Sequence, residues 1–297
     1  MHNRHCPAVK TIIALMLAFL VTACTAMRLG YNNGESIGYY WLNGYADFQP
    51  EQSPWAKEHI ADWFAWHRKT QLDDYAKLMA SYQARLREPV TKAEILQEYK
   101  RIRQRAMAMA NKALPSLANL ALRLEPDQIA HLEDKFAANN KKFRKQQLSG
   151  DREAQQEFRY EKVKKQAEYW LGDLTDEQEM QIRTASDARP LNNELWLAER
   201  QQRQARLIGI LKQIQAQKPS HAAVQAMLRE YAVMVIEGNS NTGQTRFYET
   251  SRESTAQLIA DIINLATPQQ KAHASAQLQK WIEDFGQMSR KAGRDGA

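Results

Sequence analysis

Two cysteines, seven histidines and 34 acidic residues are the side chains from which this sequence could build a catalytic or metal centre. Cys6 and Cys24 do not form a Cys-x-x-Cys pair. His59 and His67 stand eight positions apart. On a helix that is two turns, too far for one ion to bridge without a ligand between them. No His-Glu-x-x-His, Gly-x-Ser-x-Gly elbow or phosphate loop occurs. Acids are frequent, yet none is singled out as a pair in an apolar setting, which general acid–base work requires. The sequence therefore predicts no metal, no cofactor and no enzyme. What remains is binding. Trp41, Trp55, Trp63 and Trp66 are four of the seven tryptophans and fall within 26 residues. Trp63 and His67 are i,i+4 neighbours, with Trp63 one turn beyond His59. Trp63, Trp66 and His67 are thus candidates for an aromatic binding face, or for a surface lying on a membrane. The other reading is packing of residues 37–48 against the first long helix, since aromatic stripes at helical spacing usually face a core.

The elements that must position these residues read as helices. Gly and Pro number 12 and 9, about 7% of the chain, against about 12% on average. Few turn residues argue against a sandwich, a barrel or a nucleotide-binding α/β fold. Ser53-Pro54 supplies a cap and a first-turn proline. Trp55, Ile60, Trp63, Phe64, Tyr75, Leu78, Met79, Tyr82 and Leu86 then keep a helical period as far as Glu88-Pro89. Thr91-Lys92-Ala93-Glu94 is a capping box, opening a helix to about Leu122 that Pro115 should bend or interrupt. Glu125-Pro126 opens the next, to about Leu148. After the turn Ser149-Gly150-Asp151 a charged helix reaches Gly172. Thr175 caps another, disturbed at Pro190 and continuing through Gln217. Helices follow from Pro219-Ser220 to Glu237, from Thr245 to Leu265, and from Thr267-Pro268 to Ser289. Gly238-Asn239-Ser240-Asn241-Thr242-Gly243 is the clearest loop. The expected fold is all-α: long antiparallel helices in one elongated or bundled body. Its divisions are 1–23, 24–50, 51–289 and a frayed basic tail at 290–297. Residues 24–50 read as a linker followed by a short amphipathic piece at 37–48.

Residues 1–23 carry Arg4, Lys10 and no acid, followed by an apolar run from Ile12 to Val21. That run is too short to span a bilayer and describes an export signal. Its end, Val21-Thr22-Ala23-Cys24, resembles the lipobox of bacterial lipoproteins. The resemblance implies a thioether diacylglycerol on Cys24, and a third acyl chain after cleavage. Two or more chains make a stable anchor. Residue 25 is Thr rather than the Asp that commonly retains such proteins in the inner membrane, which implies the outer membrane with the body in the periplasm. Cys6 leaves with the signal, so the mature chain has no disulfide.

A short pattern recurs three times: Leu124-Glu-Pro-Asp-Gln128, Leu174-Thr-Asp-Glu-Gln178 and Ala266-Thr-Pro-Gln-Gln270. Each is a helix start in which Glu125, Thr175 or Thr267 caps and Gln128, Gln178 or Gln270 reaches back. Leu174 to Gln178 matches in full the LTxxQ motif of the Spy/CpxP-like periplasmic proteins, which it resembles. The first copy has Glu for Thr and the third Ala for Leu. The resemblance implies an exported, helical, non-enzymatic protein that binds unfolded proteins or senses envelope stress. This chain is longer and carries a lipidation signal. Separately, Tyr39-Tyr40-Trp41-Leu42, Trp63-Phe64-Ala65-Trp66-His67-Arg68 and Tyr75-Ala76-Lys77-Leu78 look like an uncharacterised family of proteobacterial lipoproteins. That likeness covers most of residues 24–285 and implies an outer-membrane lipoprotein with a helical body and no established activity.

Loss of Arg4 and Lys10 leaves 39 basic and 34 acidic residues, a net +5. Residues 141–165 hold nine basic residues (Lys141, Lys142, Arg144, Lys145, Arg152, Arg159, Lys162, Lys164 and Lys165) and four acids, also +5. The excess thus sits in one expected hairpin around Ser149-Gly150. The exported compartment excludes nucleic acid. Anionic lipid headgroups, peptidoglycan carboxylates and acidic unfolded proteins are the candidate partners. The alternative is a solvated hairpin laced by pairs such as Glu161 with Lys165. Together these readings favour a non-enzymatic, chaperone-like or stress-related protein binder. A structural tether or assembly factor at the outer membrane is the second reading, and a lipoprotein enzyme the third.

Overall fold

Thr91 fixes where the longest helix begins. Its hydroxyl accepts the Glu94 N–H at 3.3 Å while the Glu94 carboxylate accepts the Thr91 N–H at 2.9 Å. These are the two reciprocal bonds of a capping box. The Thr91 N–H, then Arg85, then the Thr91 hydroxyl hold the Glu94 carboxyl down to about 2. Elsewhere Asp151 caps Ala154 N at 2.9 Å, Asn192 caps Leu195 N at 3.0 Å and Ser220 caps Ala223 N at 3.3 Å. The computed structural model describes residues 28–238 and 244–295, and all regular structure among them is helical. The export signal, Cys24 and the linker up to residue 27 lie outside the described residues. So do the loop residues 239–243 and residues 296–297.

The helices are α1 (Gly34–Ala46), α2 (Ser53–Thr70), α3 (Leu72–Arg85), α4 (Lys92–Arg123), α5 (Pro126–Gln147), α6 (Arg152–Leu171), α7 (Asp176–Asp187), α8 (Asn193–Gln217), α9 (His221–Glu237), α10 (Thr245–Leu265) and α11 (Pro268–Asp295). α3 lies along α11, α9 along α4, α5 along α8, and α6 against α7; α4 also meets α10. One core joins α1, α2, α4, α5, α8 and α9 through Ala46, Ala56, Leu114, Ile129, Ile214 and Val224. Two adjoining cores hold Tyr160, Ala167 and Ile182, then Leu171, Ala266 and Ala274, with Leu174 packed against both. Ile214 and Val224 are fully buried, and each such side chain contributes about 1.5–3 kcal/mol.

The chain departs from the sequence reading at five places. Residues 28–32 are already helical. They run into α1 through Asn33, whose N–H donates to Leu29 O at 3.1 Å and whose carbonyl accepts from Ile37 N at 2.9 Å. The glycines read as linker instead let this helix approach α2: a Cβ at Gly34 would stand 2.6 Å from Phe64 Cε1. The single helix expected from Ser53 to Glu88 breaks at Gln71. His67, Arg68 and Lys69 close α2, and Asp73 and Asp74 open α3, each charge set matching its end of the helix dipole. Pro115 does not interrupt α4. The expected α5–α6 hairpin is not a packed pair. α5 packs on α8, while α6 packs on α7 and α11. Asn193 Nδ2 donates to Gln147 O at 2.6 Å and to Gln155 Oε1 at 3.0 Å, seating the start of α8 against both arms of the turn. Finally, α11 continues past the expected boundary at 290 to Asp295.

Candidate functional site

The recurring motifs meet in space. Gln178 and Gln270 stand 92 positions apart and bond reciprocally. Gln178 Nε2 donates to Gln270 Oε1 at 2.8 Å, and Gln270 Nε2 donates to Gln178 Oε1 at 2.9 Å. Each amide also reaches the residue before the other's motif: Gln178 Nε2 donates to Leu265 O at 3.0 Å, Gln270 Nε2 to Asp173 O at 2.8 Å. Each Oε1 accepts its own cap's N–H, from Thr175 at 3.1 Å and from Thr267 at 3.0 Å. The Gln178 and Gln270 backbone N–H groups in turn donate to the Thr175 and Thr267 hydroxyls, both at 3.2 Å. Both amides are buried and both are fully bonded, as a buried amide must be. Their primary amides supply two donors and two acceptor positions at one end.

Gln128 has a partner that the sequence reading missed. Gln52 Nε2 donates to Gln128 Oε1 at 3.1 Å, and Gln128 Nε2 to Gln52 Oε1 at 2.8 Å. Again each reaches across: Gln52 Nε2 to Arg123 O at 3.1 Å, Gln128 Nε2 to Asp47 O at 2.9 Å and to Ala46 O at 2.7 Å. Again each Oε1 accepts an N–H three positions back, from Gln49 at 3.0 Å and from Glu125 at 3.1 Å. Phe48-Gln49-Pro50-Glu51-Gln52 is thus a fourth copy. Its signal was the Pro-acid-Gln ending it shares with Leu124 to Gln128, hidden because Gln49 is not a usual cap. Where Glu125 replaces Thr, Gln128 N turns to Asp127 Oδ1 at 3.0 Å. The Gln52–Gln128 clasp ties the core around Phe48, Leu124 and Ile129; the Gln178–Gln270 clasp ties the cores around Leu174, Leu265 and Ala266.

These clasps join helix starts, and their amide donors are all taken within the protein, leaving none for a ligand. Thr175→Ala is therefore expected to lower unfolding free energy by about 1 kcal/mol, measured by urea denaturation, with helical content unchanged. Unaltered stability would remove Thr175 from the clasp.

The aromatic residues near His67 form a packed cluster. Trp63 stacks on His67 with centroids 5.0 Å apart and donates through Nε1 to Met109 O at 3.3 Å. Trp66 is half-buried at 6.1 Å from Trp63. His67 is buried, and burial, then Arg68, lowers its pKa. The Tyr31 hydroxyl, pushed up to about 12 by burial, is hydrogen-bonded to His67 Nδ1 at 2.7 Å. These contacts favour the packing reading for Trp63, Trp66 and His67. Trp41 differs: it remains 65% exposed.

The basic residues divide. Lys164 is paired with Glu179 at 2.7 Å and Glu168 at 3.9 Å. Arg159 points inward, donating to Ser186 O at 2.7 Å and Pro190 O at 3.0 Å, where it closes the C-terminus of α7. Lys141, Lys142, Arg144, Lys145, Lys162 and Lys165 stay exposed. Lys162 stands over the Phe158 ring at 4.1 Å. Glu161 and Lys165 do not form the anticipated pair; Glu157 pairs instead with Arg183. Arg152 is exposed as well, so seven exposed cations lie on the two arms of the 148–151 turn.

Among the described residues no group of three His, Cys, Asp or Glu is placed to hold a metal ion, and no helix is long and apolar enough to cross a membrane. An open apolar groove of about 500 Å³ lies beside Gly30, Gly34, Ile37, Trp41 and Phe64. A family model described as a family of unknown function, DUF6279, matches residues 44–232. No curated protein and no solved structure matches the chain.

Proposed function

The chain belongs to the DUF6279 family, and from that premise we propose that it is a lipid-anchored envelope protein that binds other proteins in the periplasm, chaperone-like, without catalysis. The observation that carries this reading is the LTxxQ pattern, which here closes the body as the Gln178–Gln270 clasp and is not itself the client surface. The clasp is built on Leu174-Thr175-Asp176-Glu177-Gln178, the full LTxxQ pattern, and is repeated in the Gln52–Gln128 clasp. The likeness to Spy/CpxP-like proteins supports export, a helical body and binding of unfolded chains. The lipobox at Cys24 supports an outer-membrane anchor. Client capture then has two steps. The exposed cations at 141–145 and 162–165 speed encounter with acidic clients, an attraction screened beyond about 8–10 Å at physiological salt. Exposed apolar side chains such as Tyr99 and Ile102 on α4 hold the client weakly.

The mature chain is expected to suppress aggregation of an unrelated unfolded protein at low salt without ATP, followed by light scattering. Charge reversal of Lys141, Lys142, Lys145, Lys162 and Lys165 should slow capture of acidic clients more than of basic ones. No protection at several-fold molar excess, at low or high salt, would eliminate chaperoning. The same unpaired cations would then favour the second reading, a tether contacting peptidoglycan carboxylates. Protection insensitive to salt and to the reversals would keep chaperoning and remove these lysines from it.

A further inference from the structure

The helical stretch from residue 28 to Ala46 pairs both of its charges with the body and leaves four large apolar side chains on its solvent side. Arg28 Nε reaches Asp284 Oδ1 at 2.9 Å, and Glu35 accepts from Arg68. No other residue between 28 and 46 is ionised. Its solvent side instead shows Leu29, Ile37, Tyr40 and Trp41, exposed by 54, 56, 72 and 65%. At 100° per residue they fall within an arc of about 120° on one side of the helix. Beside them runs the open groove of about 500 Å³ floored by Gly30, Gly34, Gly38 and Phe64. Single exposed apolar residues need no explanation, but a contiguous uncharged arc marks an interaction surface.

The chain's course identifies the occupant. Cys24 precedes Arg28 by four residues, a reach of at most about 14 Å. From Arg28 the helix rises about 20 Å to Trp41. An acylated Cys24 in a bilayer therefore leaves the whole arc within reach of the headgroups. Trp and Tyr are the residues that settle at that interface, their rings amphipathic and uncharged. We propose that the Leu29/Ile37/Tyr40/Trp41 face lies in the headgroup region of the bilayer that holds Cys24, so that the body is laid against the membrane and not merely tethered to it. This rests on the lipid-anchor reading of Cys24. The Arg28–Asp284 and Glu35–Arg68 pairs pin the helix to α11 and α2, so its orientation on the bilayer orients the body.

The test uses the full chain, produced with its acyl chains and reconstituted into vesicles of phosphatidylcholine brominated near the headgroup. Bromine quenches tryptophan only at close range, and Trp41→Phe isolates the Trp41 emission by difference. The expected result is co-flotation with vesicles and at least a twofold loss of Trp41 emission against unbrominated lipid, diminished in Ile37→Ser. Co-flotation with Trp41 emission indifferent to bromine would overturn the proposal and leave the anchor standing. The same indifference, accompanied by Trp41-dependent crosslinking between chains, would assign the face to a second copy instead. Failure to float would overturn both. Quenching and flotation with Cys24 shown unacylated by mass spectrometry would refute the anchor reading alone.

Discussion

Gln178→Glu is expected to cost about 3–5 kcal/mol, the range for a buried charge left without its partner. The amide Nε2 donates to two acceptors, Leu265 O and Gln270 Oε1. A carboxylate of the same shape would put an oxygen in place of Nε2, its lone pairs facing both acceptors, in a position only 7% exposed. Burial would favour the neutral acid, raising the introduced carboxyl above its unfolded value of about 4.3. The unfolded state then releases its proton at lower pH than the folded one, so the deficit is largest at neutral pH and shrinks as pH falls. A protonated carboxyl also regains one donor. Gln178→Met removes the donors without adding charge and should cost about 1–3 kcal/mol at every pH. Urea titrations at pH 5 and pH 8 separate the two. A Gln178→Glu loss below about 1 kcal/mol at pH 8 would mean that the clasp opens to water and that its bonds stabilise little.

The same bonds explain what sequence alone could and could not disclose. Thr91-Glu94 and Thr175-Gln178 were readable because a capping box is local: donor and acceptor lie three residues apart and need no other element. The reciprocal pairing of Gln178 with Gln270 was not, since it joins positions separated by 92 residues and no local pattern specifies which amide meets which. Gln52 was harder still, because Gln49 offers a backbone N–H without a capping side chain. The break at Gln71 was readable after all, in the change from basic His67-Arg68-Lys69 to acidic Asp73-Asp74, but hydrophobic periodicity ran straight through it. Among the candidate binding residues, charge pattern alone could not separate exposed Lys141 and Lys145 from Lys164 and Arg159. The latter two are engaged by α7 and its C-terminal carbonyls, a matter of which face meets a neighbour.

Gly34→Leu should be the most damaging substitution in the N-terminal helix, at about 1–3 kcal/mol for overpacking. Gly30, Gly34 and Gly38 recur every four residues and look alike in sequence, yet their surroundings differ. A Cβ at Gly34 meets Phe64 Cε1 at 2.6 Å, one at Gly38 meets Phe64 Cε2 at 3.3 Å, and one at Gly30 meets nothing within 4 Å. The Phe64 ring has little freedom to yield, with Tyr31 edge-on at 5.7 Å and Trp63 at 5.4 Å. The larger side chain must therefore lift α1 from α2, against the roughly 1 kcal/mol that replacing a helical glycine otherwise adds. Gly30→Ala has no such obstacle and should stabilise by up to about 1 kcal/mol. Combining Gly34→Leu with Phe64→Ala should recover part of the loss, because the added side chain enters the space the ring vacates; sites in direct contact are the ones whose effects do not add. Denaturation of the single and double variants checks the coupling. Additive losses would mean that α1 does not seat on Phe64, and would remove the support that holds Ile37 and Trp41 outward.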